Sequence, residues 1–413
     1  MFEGLAFTPA DILLPEGCEY SKWSVVACDQ YTSQPEYWQR VADYVGKAPS
    51  ALRLILPESC LEGPGVETDI MEINNTMTRY LREGVFKRLP DAMIYVERTL
   101  KNGKVRRGLV GKVDLERYDY EPGGQAAVRA TEGTVLARIP PRVAVRKNAP
   151  IELPHVLLLA DDPAKSVIEP IGERKWGLAP AYDFDLMENG GHLCGWLLDE
   201  GEKIHVSNAL HSLTDGAPIQ FAVGDGNHSL ATARECYERQ KKLTPPEKWA
   251  ALPSRYALVE LVNLHDEALE FEPIHRLLFG VEPEKVLEAL LAAYPGAHYG
   301  PDERGHQLFF SHRNGMGVIT VPNPKSNLPV GTLQSFLDAY VKTNKCHMDY
   351  IHGDTVARDL GAQEGNLAFL LPALEKSDLF PTVLRDGLLP RKTFSMGEAD
   401  DKRFYLEARK IRE

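Results

Sequence analysis

One stretch constrains this chain more than any other: Phe221-Ala-Val-Gly-Asp-Gly-Asn-His-Ser-Leu-Ala-Thr-Ala233. It begins apolar, breaks at Gly224-Asp225-Gly226, and resumes as a helical run through Arg234, Glu235 and Tyr237. That order predicts a buried strand, a turn and a helix N-terminus. Glycine reaches backbone angles that a Cβ resists, and Asp, Asn and Ser favour helix starts. The first amides of such a helix lack intrahelical partners and point outward, ready for an anion. Asp225 and His228 stand three residues apart at this mouth, placing a carboxylate and an imidazole beside those donors. Ordinary strand–turn–helix junctions use the same residue types and bind nothing. It is the clustering that makes this one a candidate site.

The rest of the chain sets bounds on the ligand. A net charge of −12 over 413 residues argues against a general nucleic-acid or anionic-membrane binder, which needs a basic surface. A local basic pocket for phosphate is still compatible with it. The six cysteines, Cys18, Cys28, Cys60, Cys194, Cys236 and Cys346, have no paired spacing. Reduced thiols are therefore expected, and neither a disulfide framework nor a structural zinc site. The opening Met1-Phe-Glu-Gly-Leu-Ala6 lacks the basic-then-apolar order of a signal peptide, and no apolar run is long enough to span a bilayer. A cytoplasmic protein is the expectation.

Mixed α/β patterning runs throughout. Trp23 to Cys28 and Leu52 to Pro57 read as short strands, with Pro35 opening a helix between them. Apolar spacing at Ile70, Ile73, Met77 and Leu81 predicts an amphipathic helix. Ala92 to Arg98 and Val105 to Val113 read as strands paired around Asn102-Gly103. His155 to Ala160 and Tyr256 to His265 are buried-strand candidates. With no repeat or flexible linker in sight, a single integrated domain over 1–413 is expected, with sub-domains at about 1–280 and 281–413.

Other polar clusters are candidate contributors. Asp29, Gln30 and Tyr31 form a polar strand exit, for which plain turn chemistry is the alternative. Arg129, Thr131, Glu132 and Thr134 precede Arg138, Arg142 and Arg146, a basic cluster in an acidic chain. Arginines four apart share a helix face and their forked donors suit phosphate or carboxylate; ion pairing with nearby acids is the competing reading. His265 and Asp266 end a predicted central strand, where α/β ligands tend to sit. Together with His275 and Arg276 they could share the crevice of Asp225 and His228. A metal-dependent hydrolase built on His228, His265, His275 and Asp266 is a further alternative, although no close His spacing supports a metal.

Set beside Asn263-Leu-His-Asp266, Pro273-Ile-His-Arg276, Tyr350-Ile-His352 and Leu389-Pro-Arg-Lys-Thr393, the central motif resembles that of the domain of unknown function 1015 family. That family carries Asp-Gly-His-His-Arg followed by Thr-Ala. Asp225, Gly226, His228, Thr232 and Ala233 match, whereas Asn227 replaces a His and Ser229 replaces the Arg. Glu132 and Thr134 keep part of the family's His-Glu-x-Thr, and Tyr31 keeps part of Pro-Pro-Tyr-Asp. The motif is also similar to the Asp-Gly-x-His-Arg turn of the ParB/sulfiredoxin-like fold, which includes kinases acting on free serine.

The resemblance implies a ParB/sulfiredoxin-like α/β core elaborated by extra strands and helices, with a phosphate-bearing small molecule at the turn. It implies a phosphotransferase using a nucleotide or other phosphate donor and Mg²⁺, or else a non-enzymatic regulator binding the same ligand. Asp225, His228 and Glu132 would be the catalytic groups. Gly226, Asn227 and Ser229 would hold phosphate, with Arg129, Arg138 or Arg142 standing in for the missing arginine.

Overall fold

The computed structural model describes residues 1–412. The chain forms two compact units, Met1–Leu269 with Gly397–Glu413, and Glu270–Met396. The sequence-based boundary near 280 thus stands beside a division at Leu269, and the last residues return to the first unit. Among the described residues, no helix is long and apolar enough to cross a membrane.

A ten-stranded mixed sheet organises the first unit. In chain order its strands are β1 (Phe7–Thr8), β2 (Ile94–Thr99), β3 (Val105–Asp114), β4 (Tyr118–Asp119) and β5 (Val128–Ala130), then β6 (Leu157–Ala160), β7 (Ala179–Asp185), β8 (His192–Leu197), β9 (Phe221–Asp225) and β10 (Tyr256–Asn263). Across the sheet the order is β7-β8-β2-β3-β10-β6-β9-β5-β4, with β1 pairing β3. The β2–β3 hairpin expected around Asn102-Gly103 forms, with Ile94 opposite Val110. β10 is buried from Ala257 to Asn263 between β3 and β6, and so its sequence is nearly continuous in apolar residues.

The directions of three strands position everything that follows. β6 runs parallel to β10 but antiparallel to β9. Asp225, at the carboxyl end of β9, therefore lies beside Leu157 at the amino end of β6. The carboxyl end of β10 lies instead beside Ala160, at the other end of β6.

Two expected strands are corrected. Residues Tyr20–Trp23 form a helical turn, leaving only Val25–Val26 extended against Phe404–Tyr405. Ala51–Leu54 is a 3₁₀ turn, because Ser50 Oγ accepts the Leu52 N–H at 3.2 Å and diverts the backbone from a ladder.

Residues 397–412 are fastened to the sheet by buried charge. Arg403 donates from Nε to Glu260 Oε2 at 2.8 Å, from a terminal nitrogen to Glu407 Oε2 at 2.7 Å, and from the other to Pro154 O at 2.7 Å. All three charged side chains are at most 5% exposed. Arg409 donates to Glu152 Oε1 at 2.8 Å, while Arg98 donates to the carbonyls of Asp400 and Lys402 at 2.8 and 3.2 Å. Trp23, fully buried, adds an indole hydrogen bond to Leu406 O.

The second unit is a seven-stranded antiparallel sheet: β11 (Phe271–Phe279), β12 (His298–Tyr299), β13 (His306–His312), β14 (Gly315–Val321), β15 (His347–His352), β16 (Asn366–Leu370) and β17 (Phe394–Met396). His275 and Arg276 sit on β11 and are wholly buried. Arg276 donates to Gln334 Oε1 at 2.8 Å and to the carbonyls of Lys392 and Arg391. The Leu371 N–H donates to His275 Nδ1, leaving the ring proton on Nε2, where Asp354 Oδ1 lies 3.0 Å away.

Two outcomes test this architecture. Glu260→Ala strands Arg403 and Arg106 in the interior, and should destabilise the first unit by about 3–5 kcal/mol, read as a lower urea midpoint; an unchanged midpoint contradicts the role given to the cluster. In the second unit, burial pushes His275 below the ordinary imidazole value, outweighing the Asp354 carboxylate. The unfolded imidazole protonates first, near pH ~6.5, so the stability from neutral His275 is complete above that pH and falls as pH drops toward the folded value. His275→Gln should flatten the decline in thermal midpoint between neutral pH and pH ~5.

Candidate functional site

The central stretch folds as its residues dictate. β9 delivers Asp225 to the turn, and the Asn227–Lys241 helix starts immediately after Gly226. Gly226 has φ 80°, and a Cβ there would fall 2.9 Å from Val156 Cγ2 and 3.1 Å from its Cα, so both conformation and space demand glycine. As helix cap it offers no side chain to the first helical amides, which lie at a half-buried surface. The Asp225 carboxylate accepts the Gly226 N–H through Oδ1 at 2.8 Å and faces Lys402 Nζ through Oδ2 at 3.3 Å.

The Thr131–Val135 segment lies against this turn because β5 runs parallel to β9, with Ala130 opposite Val223. Thr131 donates its N–H to Asn227 Oδ1 at 3.3 Å and its hydroxyl to Val223 O at 2.6 Å. Val135 donates its N–H to His228 Nε2 at 3.1 Å. His228 thereby ties down the segment that carries Glu132, and one of its nitrogens is committed to that task. Thr134 Oγ1 is buried with no hydrogen-bond partner, an expensive state for a hydroxyl unless something else completes it.

Asp29 lies within electrostatic reach of both His155 and Lys402. Burial works to raise its carboxyl, but the charges of His155 and Lys402, with a Gln30 Nε2 hydrogen bond at 3.1 Å, outweigh it and hold Asp29 below the usual carboxylate value. The Tyr405 hydroxyl lies 2.7 Å from His155 Nδ1 and 3.1 Å from Cys28 Sγ. Burial, first of all, pushes the Cys28 thiol up to about 12, so it is not a nucleophile. Tyr31 holds a left-handed φ of 52° and stacks on Tyr37 at 3.7 Å.

Glu132's segment, Asp225, Asn227 and His228 therefore come together, and Asp29 is linked to them through Lys402. Other candidates do not join them. Arg129 spends its guanidinium on the carbonyls of Ala126 and Pro218. Arg138 and Arg142, at the start of the Ile139–Arg146 helix, pair with Glu58 at 3.8 and 2.7 Å, while Arg146 pairs with buried Glu152. The basic cluster is thus a set of ion pairs, as charge runs commonly are. His265 pairs with Asp161 at 2.7 Å, and Asp266 caps a turn by accepting from Arg107 N and Ala268 N. Strand direction separates them from Asp225 by the length of β6, roughly 10 Å at the usual rise per residue. The shared crevice expected for them is corrected accordingly.

Sequence reasoning overlooked Lys402, His155 and Tyr405. His155 precedes a strand taken only as core, and Lys402 is 177 residues from Asp225 in the chain. The one local signal was the acidic run Glu398-Ala-Asp-Asp401, which forms a capping box immediately before Lys402.

The fold is a mixed α/β architecture around a glycine turn with flanking carboxylates and a lysine. Residues 13–340 match the family described as "Protein of unknown function (DUF1015)", and the chain belongs to that family. Lys402 lies beyond the matched residues. Among solved structures the chain is similar to a conserved hypothetical protein from Pyrococcus furiosus, at 14% identity over 73% of this chain and 92% of that one, with a TM-score of 0.35. It is also similar to a free serine kinase in complex with AMP, at 12% identity over 75% and 93%, TM-score 0.40. A third is SbnI with a C-terminal truncation from Staphylococcus aureus, at 10% identity over 70% and 83%, TM-score 0.36. No curated protein matches the chain.

Asn227→Ala removes the side chain that holds the Thr131 amide. It should cost about 1 kcal/mol and raise the hydrogen-exchange rate of residues 131–135 without changing that of β10. Unchanged exchange at 131–135 contradicts the tie.

Proposed function

We propose that the chain is a small-molecule phosphotransferase whose phosphate-bearing ligand docks at the Gly226–Ser229 turn, within a core of ParB/sulfiredoxin-like type. The observation that carries this reading is the glycine-capped helix start at Gly226 with Lys402 Nζ 3.3 Å from Asp225. Backbone donors and one cation thus occupy the place where a phosphate needs both. Lys402 takes the part expected of an arginine at position 229, acting as a point charge where a fork would have bound in bidentate fashion. The orphaned Thr134 hydroxyl supports a polar ligand between the turn and the 131–135 segment.

Phosphoryl transfer needs charge compensation on the phosphate oxygens and a group to orient the attacking hydroxyl. The amides of Asn227, His228 and Ser229 with Lys402 serve the first need. Glu132 serves the second by accepting the hydroxyl proton. Asp225 fixes Lys402 and the Gly226 amide, and His228 holds the 131–135 segment against the turn. Asp29 and Asp225 are hard oxygen donors that suit Mg²⁺, which would neutralise phosphate charge when bound with a nucleotide. An acceptor with a free hydroxyl, such as serine or a similar hydroxy-amino acid, is the proposed substrate class.

Thermal shift with nucleotides, pyrophosphate and free amino acids, with and without Mg²⁺, tests this. A ligand at a hundred times its Kd should add roughly 2.7 kcal/mol to stability. A Mg²⁺-dependent nucleotide shift that is lost in Lys402→Ala and Asp225→Ala is expected. Absence of any shift by saturating phosphate compounds would overturn the reading.

A further inference from the structure

A second constellation lies on the opposite edge of the first unit's sheet, in the β7–β8 hairpin, and the phosphate-site reading makes no use of it. Register places Asp183 directly opposite Cys194, and Asp185 opposite His192. Because side chains alternate along a strand, these four residues share one face, while the adjacent Tyr182 and Phe184 pack against Tyr20. One ligand atom each from Asp183, His192 and Cys194 lies within 4.8 Å of the others, and among the described residues this is the only such trio of His, Cys, Asp or Glu.

The arrangement around the imidazole is directional. His192 Nε2 lies 2.8 Å from Asp183 Oδ1, on the side of the trio, and Nδ1 lies 2.7 Å from Asp185 Oδ1. A histidine that binds metal through one nitrogen characteristically gives its other N–H to a carboxylate, which fixes tautomer and ring orientation. Asp185 stands where that second carboxylate belongs. The partners on the inner side differ in kind. Cys194 is opposite Glu97 on β2, and Glu97 is paired with Lys175 at 2.6 Å. A carboxylate already neutralised by lysine leaves the trio as the open ligand set.

We infer that Asp183, His192 and Cys194 form a binding site for a zinc-class divalent cation, with Asp185 as the positioning carboxylate for His192. The donor set is one thiolate, one imidazole nitrogen and one carboxylate oxygen. A borderline-soft ion takes this mixture, whereas Mg²⁺ and Ca²⁺, which prefer all-oxygen shells, do not. On binding, the Cys194 thiol gives its proton to solvent, as does the proton shared between His192 Nε2 and Asp183, and sulfur, nitrogen and carboxylate oxygen bond the cation; no electron is transferred. Three protein ligands on an exposed hairpin leave a fourth position to water or a ligand.

The alternative is an ion-paired histidine between two aspartates with a bystander thiol, and cobalt(II) separates the two. The reduced full-length protein should bind one equivalent of Co(II) with a thiolate-to-cobalt charge-transfer band, and Zn(II) should displace it. Cys194→Ser should abolish the band, and Cys60→Ser, which alters an exposed thiol elsewhere, should retain it. Asp185→Asn should keep the band but weaken binding about tenfold or more. A wild-type protein with no such band, or a band that persists in Cys194→Ser, overturns the inference.

Discussion

The buried contact between Arg403 and the carboxylates of Glu260 and Glu407 is the constraint on which the first unit depends. It joins the centre of the main sheet to a segment that arrives after more than a hundred residues spent in the other unit. Isolated charges are very costly in such surroundings, so the segment is held in the register in which Arg403 and Arg409 meet Glu260, Glu407 and Glu152. In that register Lys402, next to Arg403, faces Asp225. The cation of the candidate site is thus placed by an interaction made for packing, one residue away from it.

The rest of the site is assembled by strand direction. With β6 antiparallel to β9, the glycine turn sits over the start of β6, just after His155 in the chain. With β5 parallel to β9, the Thr131–Val135 segment emerges on the same side as the turn. His228 and Asn227 then spend side-chain hydrogen bonds on that segment. Two residues expected to act on a ligand therefore also fasten the Thr131–Val135 segment, in which the buried Thr134 hydroxyl has no hydrogen-bond partner.

Much of this was legible in the chain. The turn at Gly226, the β2–β3 hairpin, the helix opened by Pro35 and the buried β10 all follow from local pattern, because their signals lie within a few residues of their consequences. The helix-spaced arginines were also visible as a group, but their partners were not: Glu58 and Glu152 are remote in sequence, and only contact turns a basic cluster into ion pairs. His265 and Asp266 were placed by a rule for parallel strands, whereas the sheet here is mixed.

What the sequence determined by itself is the turn: φ 80° and a backbone pressed against Val156 require glycine, with Asp225 just before it at the end of β9 and Asn227 and His228 just after it in the helix. What only the tertiary structure decided is the company they keep. Lys402 reaches Asp225, and Asp29 comes within electrostatic reach of Lys402 and His155, through strand order and a buried ion cluster. Such contacts depend on the summed free energy of a whole core, and no window of the chain contains that sum.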